Sequence, residues 1–227
     1  MVSDPLADLA RLEGVPSAVG AAVAAVDAVL RDRGRRVISP EVRAAALAVI
    51  AEATTELSGD RPRWLVGALR LSAQLDDLAS LVKVAPAQAL ARTHAIAARG
   101  VVDDSDLGRV VDRPGVSERM RGLSELLTSP TQASAVVLAA VAHAEIATVA
   151  PFVDGNGLVA RAAEHLVLIA GGIDPRGVIV VEAGHGGDAT AYATALNGYA
   201  EGGVGGVRDW LLHCARSLAR AAELSPR

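Results

Sequence analysis

Aromatic side chains are scarce, at 2% of the 227 residues, and cysteine occurs once, as Cys214. A single thiol excludes an internal disulfide and fits a reducing compartment, so a cytoplasmic location is expected. Strands draw on β-branched and aromatic residues, whereas Ala and Leu favour helix. Ala, Val and Leu dominate here, which points to an all-α protein and also fits a GC-rich genome. Positive charge is not in excess: the formal net charge is −4, which gives no overall basic field for nucleic acid. The cluster Arg31, Arg33, Arg35 and Arg36 reads as a solvated helix end. No uncharged apolar stretch reaches the ~18 residues of a membrane span, because Asp27, His143 and Glu145 interrupt the longest runs. The start, Met1-Val2-Ser3-Asp4-Pro5, lacks the basic segment and apolar core of a secretory signal. No internal repeat is visible.

What is present is a series of helical patterns. Residues 1–14 read as a tail, 15–83 as an N-terminal helical region and 84–227 as the core. Val19, Val23, Val26, Val29 and Leu30 mark one apolar face, which Gly34 ends. Ser39-Pro40-Glu41 starts a second helix that Gly59 closes. A third is expected over 62–82, with Leu65, Leu69, Leu71, Leu75, Leu78 and Leu81 towards the core, and a fourth over 86–99. Residues 101–116 are irregular, and a short amphipathic helix runs over 117–127. The near absence of charge between Thr131 and His143 predicts a helix buried on all sides. Val178–Val181 reads as a short strand or an extended anchor, 202–206 as a flexible break, and Val207–Leu224 as the last helix. Cys214 lies in an apolar run and reads as a buried, inert thiol.

One stretch stands apart: Ala150-Pro151-Phe152-Val153-Asp154-Gly155-Asn156-Gly157-Leu158-Val159-Ala160-Arg161. A Gly-rich turn that opens a helix aims free backbone N–H groups at whatever lies before it, and the helix dipole adds positive potential. Such a turn suits an anion, and phosphate is the usual biological one. The same Gly-Asn-Gly pattern also serves as an ordinary turn, because Gly and Asn tolerate positive φ.

The stretch resembles the loop of the Fic (Fido, Fic/DOC) family, His-Pro-Phe-x-Asp/Glu-Gly-Asn-Gly-Arg-x-x-Arg between two buried helices. Pro151, Phe152, Asp154, Gly155, Asn156, Gly157 and Arg161 match. Ala150 stands at the His position and Leu158 at that of the first Arg. The resemblance implies an all-α, Fic-type core of about 8–9 helices with a short β-hairpin flap at Gly108 and Arg109. It implies transfer of AMP from ATP to a target hydroxyl, with Mg2+ and a nucleotide as ligands and a protein as partner. Asp154 would be the Mg2+ ligand, and Gly155, Asn156 and Gly157 the phosphate cradle. Arg161 would keep a phosphate or structural contact, and Pro151 and Phe152 would anchor the loop. Thr54-Thr55-Glu56-Leu57-Ser58-Gly59 resembles the family's inhibitory pattern, Ser/Thr-x-x-x-Glu-Gly/Asn, with Ser58 at the Glu position.

Ala150 cannot accept a proton, and loss of a general base costs on the order of 10²–10⁴ in rate. Standard AMP transfer is therefore not expected. Three readings stay open: a pseudoenzyme or binding module, an enzyme with His-independent chemistry on a phosphate-containing or small-molecule substrate, and an interaction protein with a relic loop. Other candidate groups carry less. His94 sits among Leu90 and Ile96 and reads as a packing residue. His143, roughly 10 Å of helix rise before Ala150, is too far to replace the base, and His165 follows Arg161 by one turn; both read as packing residues. Asp103, Asp104 and Asp106 lack the Gly and distal Glu of a calcium loop. Glu182, His185 and Asp188 invite a metal, but their spacing matches no zinc pattern.

Overall fold

The computed structural model describes residues 4–33 and 61–224. Among them are α1 (Pro5–Leu9), α2 (Val15–Arg33), α3 (Arg61–Ser72), α4 (Leu75–Val82), α5 (Pro86–Ala98), α6 (Val116–Thr128), α7 (Ala135–Val149), α8 (Asn156–Ala170), α9 (Val181–Gly186), α10 (Ala189–Glu201) and α11 (Gly203–Leu224). The all-α expectation holds, with eleven helices among the described residues rather than 8–9, because short helices occur where tail or loop is expected. The candidate second helix and the Thr54–Gly59 pattern lie outside the described residues.

The centre is the α7–α8 pair, which the candidate loop joins. Ser134 caps α7, its side chain accepting from Val136 N. Every residue from Val136 to Ala144 is buried, so α7 has apolar neighbours on all sides, as its lack of charge requires. Around the pair, α4 and α5 pack on α8, and α6 packs on α7. On the other side α11 carries α2, α9 and α10. One buried apolar cluster runs from Leu6 to Ala222 and includes residues of both expected regions.

Several expectations change. The tail is docked: Leu6 and Ala7 are buried, and Asp4 caps α1 while its carboxylate accepts from Thr131 Oγ1 and Gln132 N. The helix expected over 62–82 breaks at Ala73–Gln74, which lets Leu75, Leu78, Ala79 and Val82 form a new buried face. Leu69 consequently points outwards, 43% exposed. Residues 101–115 contain a single 3-10 turn, Asp104–Asp106, and no hairpin. The hairpin fails because its backbone donors are taken elsewhere: Val111 N donates to Pro151 O and Gly108 N to His94. Val178, Ile179 and Val180 form a buried anchor rather than a strand, and Val181, whose N–H donates to Ile179 O, opens α9. α11 already begins at Gly203, so the expected flexible break shrinks to Gly202 and Gly203, both at φ +84.

Close helix approach explains one glycine in particular. A Cβ on Gly184 in α9 would lie 2.1 Å from the Ser217 carbonyl in α11. Gly20 in α2 has open space at the same position. The two should respond to alanine with opposite signs. Gly184→Ala should destabilise by about 1–3 kcal/mol through overpacking, whereas Gly20→Ala should stabilise by roughly 0.5–1 kcal/mol. Urea midpoints of the two variants check this; equal effects would contradict the packing.

Candidate functional site

The candidate loop is a built structure. α7 ends with Ala150 in the left-handed region (φ 48, ψ 64), a conformation in which a Cβ is strained. Arg113 donates to the carbonyls of Val149 and Ala150 and so satisfies the helix end. Asn156 then clamps Phe152 twice: Oδ1 accepts from Phe152 N at 2.8 Å and Nδ2 donates to Phe152 O at 2.9 Å. Phe152 is buried and stacks on the His94 ring, centroids 4.2 Å apart. His94 Nδ1 accepts from Gly108 N, so Nε2 carries the proton and donates to Asp154 O at 3.2 Å. The packing residue His94 thus ties the 101–115 segment to the loop. Gly155 holds φ +71, and a Cβ there would lie 2.6 Å from the Trp64 ring. Only glycine fits under Trp64 in that conformation.

The matched residues gather here: Phe152 anchors the loop in the core and Arg161 keeps a structural contact. Asp154 Oδ2 pairs with Arg63 at 3.1 Å and its Oδ1 accepts from Gly155 N. Among the described residues, no group of three potential metal ligands includes Asp154. Asp154 is half-exposed, its carboxylate shared between Arg63 and Gly155 N. Leu158 is 2% exposed and belongs to the core. Arg161 is equally buried, and its guanidinium packs against Gly157 in the first turn of α8, where a Cβ would lie 3.3 Å from it. Gly108 packs against the Ala91 carbonyl, while Arg109 is exposed. Within the first turn of α8, Val159 N bonds Gly155 O. The N–H groups of Asn156, Gly157 and Leu158 are the free donors that every helix start presents.

A second constellation lies behind the loop, in the core. Glu164 Oε2 accepts from His143 Nδ1 at 2.5 Å and from His185 Nε2 at 2.8 Å. His143 Nε2 meets the Tyr192 hydroxyl at 3.0 Å, and His185 Nδ1 meets His213 Nε2 at 3.2 Å. Trp210 closes the group, its ring 5.0 Å from His143 and 6.2 Å from His185. Beside it His165 lies between Glu182, 3.6 Å away, and Asp174, 4.0 Å away. Glu182, His185 and Asp188 therefore do not converge: they serve His165, Glu164 and the cap of α10, whose Ala191 N donates to Asp188. No spacing rule could have found the His143–Glu164–His185 set, because its members stand 21 residues apart on three helices.

Charge in the core follows from these contacts. Burial pushes the Glu164 carboxyl upwards, yet His185 and His143 outweigh it and hold it well below its usual range. Burial lowers His143 to about 4, against the pull of Glu164. Glu164 is thus ionised and His143 neutral, with its proton on Nδ1. Burial, then His185, lower His213 to about 4. His165 is different: burial lowers it, but Glu182 and Asp174 together raise it above its ordinary value.

Residues 76–168 match the sequence model of the Fic/DOC family. The fold is similar to a Fic family protein from Desulfovibrio desulfuricans G20, with a TM-score of 0.71 and 18% identity over 91% of this chain and 74% of that one. It is also similar to Fic-1 of C. elegans, with a TM-score of 0.66 and 17% identity over 92% and 72%. No curated protein matches the chain. At these identities the likeness establishes the fold and not the activity.

Two predictions follow from this geometry. Asn156→Ala removes both bonds to Phe152 and should cost about 2 kcal/mol, which lowers the thermal midpoint by roughly 4–8 °C; an unchanged midpoint would mean that the clamp is dispensable. The pH dependence has a worked sign. His143 and His213, at about 4 in the folded chain against 6.5 unfolded, lose stability as pH falls from 6.5 towards 4. Glu164 adds to that loss below its unfolded value of 4.5. His165, raised above 6.5, gives stability that is complete below 6.5 and is lost as pH rises through its folded value. Urea midpoints of the chelator-treated chain should therefore peak near 6.5, and His165→Gln should flatten the alkaline limb alone. A midpoint that climbs steadily with pH would contradict this balance.

Proposed function

We propose that this chain, whose residues 76–168 match the Fic/DOC family model, is a binding module that accepts a phosphate or nucleotide phosphate and does not transfer AMP. The observation that carries this reading is Ala150, a methyl group where proton abstraction would need a base, on a backbone that keeps the loop's turn. Three further contacts support it. Leu158 lies in the core, so one charge-assisted phosphate contact is gone, a loss of about 1.5–3 kcal/mol. Arg161 is buried beside Gly157 and has no route to the surface. Asp154 is engaged by Arg63. What is left for an anion is the start of α8, where Asn156, Gly157 and Leu158 present N–H groups beside the helix dipole, with Arg63 at the rim.

The His-independent enzyme finds less support. Among the described residues, the side chain bonded at Ala150 is Arg113, a donor that cannot act as a base. The nearest imidazole along α7, His143, is fully buried and engaged by Glu164.

Calorimetry should detect phosphate, ADP and ATP with dissociation constants near millimolar, which is about −4 kcal/mol, and with no gain from Mg2+. Labelled ATP should leave no AMP on the wild type or on lysate proteins, while Ala150→His/Leu158→Arg should gain labelling. Self-labelling by the wild type would refute the reading, as would a complete lack of anion binding.

A further inference from the structure

His143, Glu164 and His185 bring one imidazole, one carboxylate and a second imidazole to a single point in the core. Their ligand atoms all lie within 4.8 Å of one another, and all three residues are buried. We propose that these residues form a site for one divalent first-row metal ion of the zinc type, bound by His143 Nδ1, Glu164 Oε2 and His185 Nε2. The assignment rests on donor chemistry, on the far side of each imidazole and on access.

Two imidazoles and a carboxylate suit zinc and its neighbours, and suit Mg2+ or Ca2+ poorly, since those ions take oxygen donors. A ligating imidazole needs a hydrogen-bond partner on its other nitrogen, which fixes ring and tautomer. Both rings have one. His143 Nε2 faces the Tyr192 hydroxyl at 3.0 Å, and His185 Nδ1 faces His213 Nε2 at 3.2 Å. In the metal-free chain each ring gives its inner proton to Glu164. With metal bound, each ring carries its proton on the outer nitrogen, towards Tyr192 or His213. The exchange is a change of tautomer and needs no rearrangement of the helices. Access runs through His213, which is half-buried and lines a surface groove between α10 and α11 together with Asp188, Asp209 and Arg216.

The site has a structural character. Trp210 and Tyr192 wall it in, so no substrate can reach the ion. Its ligands come from α7, α8 and α9, and the ion would clamp the six-residue α9 to the central pair. A fourth position remains for a water or the second Glu164 oxygen.

The test titrates the folded, chelator-treated full chain with Zn2+, and with Co2+ as a coloured stand-in. Expected are one ion per chain, visible Co2+ ligand-field absorption, and quenching of Trp210 fluorescence by Co2+, read in a Trp64→Phe background in which Trp210 is the single tryptophan. Glu164→Gln and His185→Gln should each weaken binding by more than about 100-fold, beyond the 10–100-fold typical of losing a partner on the ligand's far side. Tyr192→Phe and His213→Gln should fall within that lower range. If either ligand variant fails to fold, the stoichiometry and the Trp210 quenching decide. A folded chain that binds neither ion contains a hydrogen-bonded triad only, and the proposal falls. Binding that leaves Trp210 fluorescence or the Glu164→Gln affinity unchanged places the ion elsewhere and overturns it equally.

Discussion

A buried carboxylate sets the terms for this core. Glu164 is 2% exposed and ionised, and an isolated charge in such a place is prohibitive unless it is hydrogen-bonded on several sides. His143 from α7 and His185 from α9 meet that requirement, and each is oriented by a further partner, Tyr192 from α10 and His213 from α11. Five helices are therefore fixed in register by one group. The next residue along, His165, faces Glu182 and Asp174 at 3.6 and 4.0 Å, within ion-pair reach and beyond hydrogen-bond distance. Together the two pairs attach α9, a helix too short to hold itself by apolar area alone.

The same helix that carries Glu164 begins at the candidate loop. Rigidity at the one end and geometry at the other are thus linked through α8. The loop keeps every feature that shapes backbone: the Asn156 clamp, the glycine beneath Trp64, the buried Phe152, the left-handed residue at position 150. Features that would act on a substrate are gone or engaged, since Ala150 has no base, Leu158 lies in the core and Arg63 pairs with Asp154.

How much of this was legible in the residues differs by kind. The helical class followed from composition, and the loop from seven matched positions, because backbone-shaping residues are local and their spacing is fixed. The uncharged stretch before His143 correctly predicted burial on all sides. Helix breaks were harder: the turn at Ala73–Gln74 has no Gly or Pro, and is set by which face must meet α8. The flap hairpin failed for a tertiary reason, the capture of Gly108 N by His94, 14 residues away. His143 reads as a packing residue, His185 as part of a Glu182–His185–Asp188 group without zinc spacing, and Glu164 draws no reading, since nothing in a linear pattern brings positions on three helices to one point.

The most direct measurement of the central claim is a phosphate titration of the 15N-labelled chain followed amide by amide. The account predicts shifts that grow with phosphate at Asn156, Gly157 and Leu158, the start of α8, with the signals around Glu164 unmoved. Shifts absent there, or centred on another part of the surface, would contradict it.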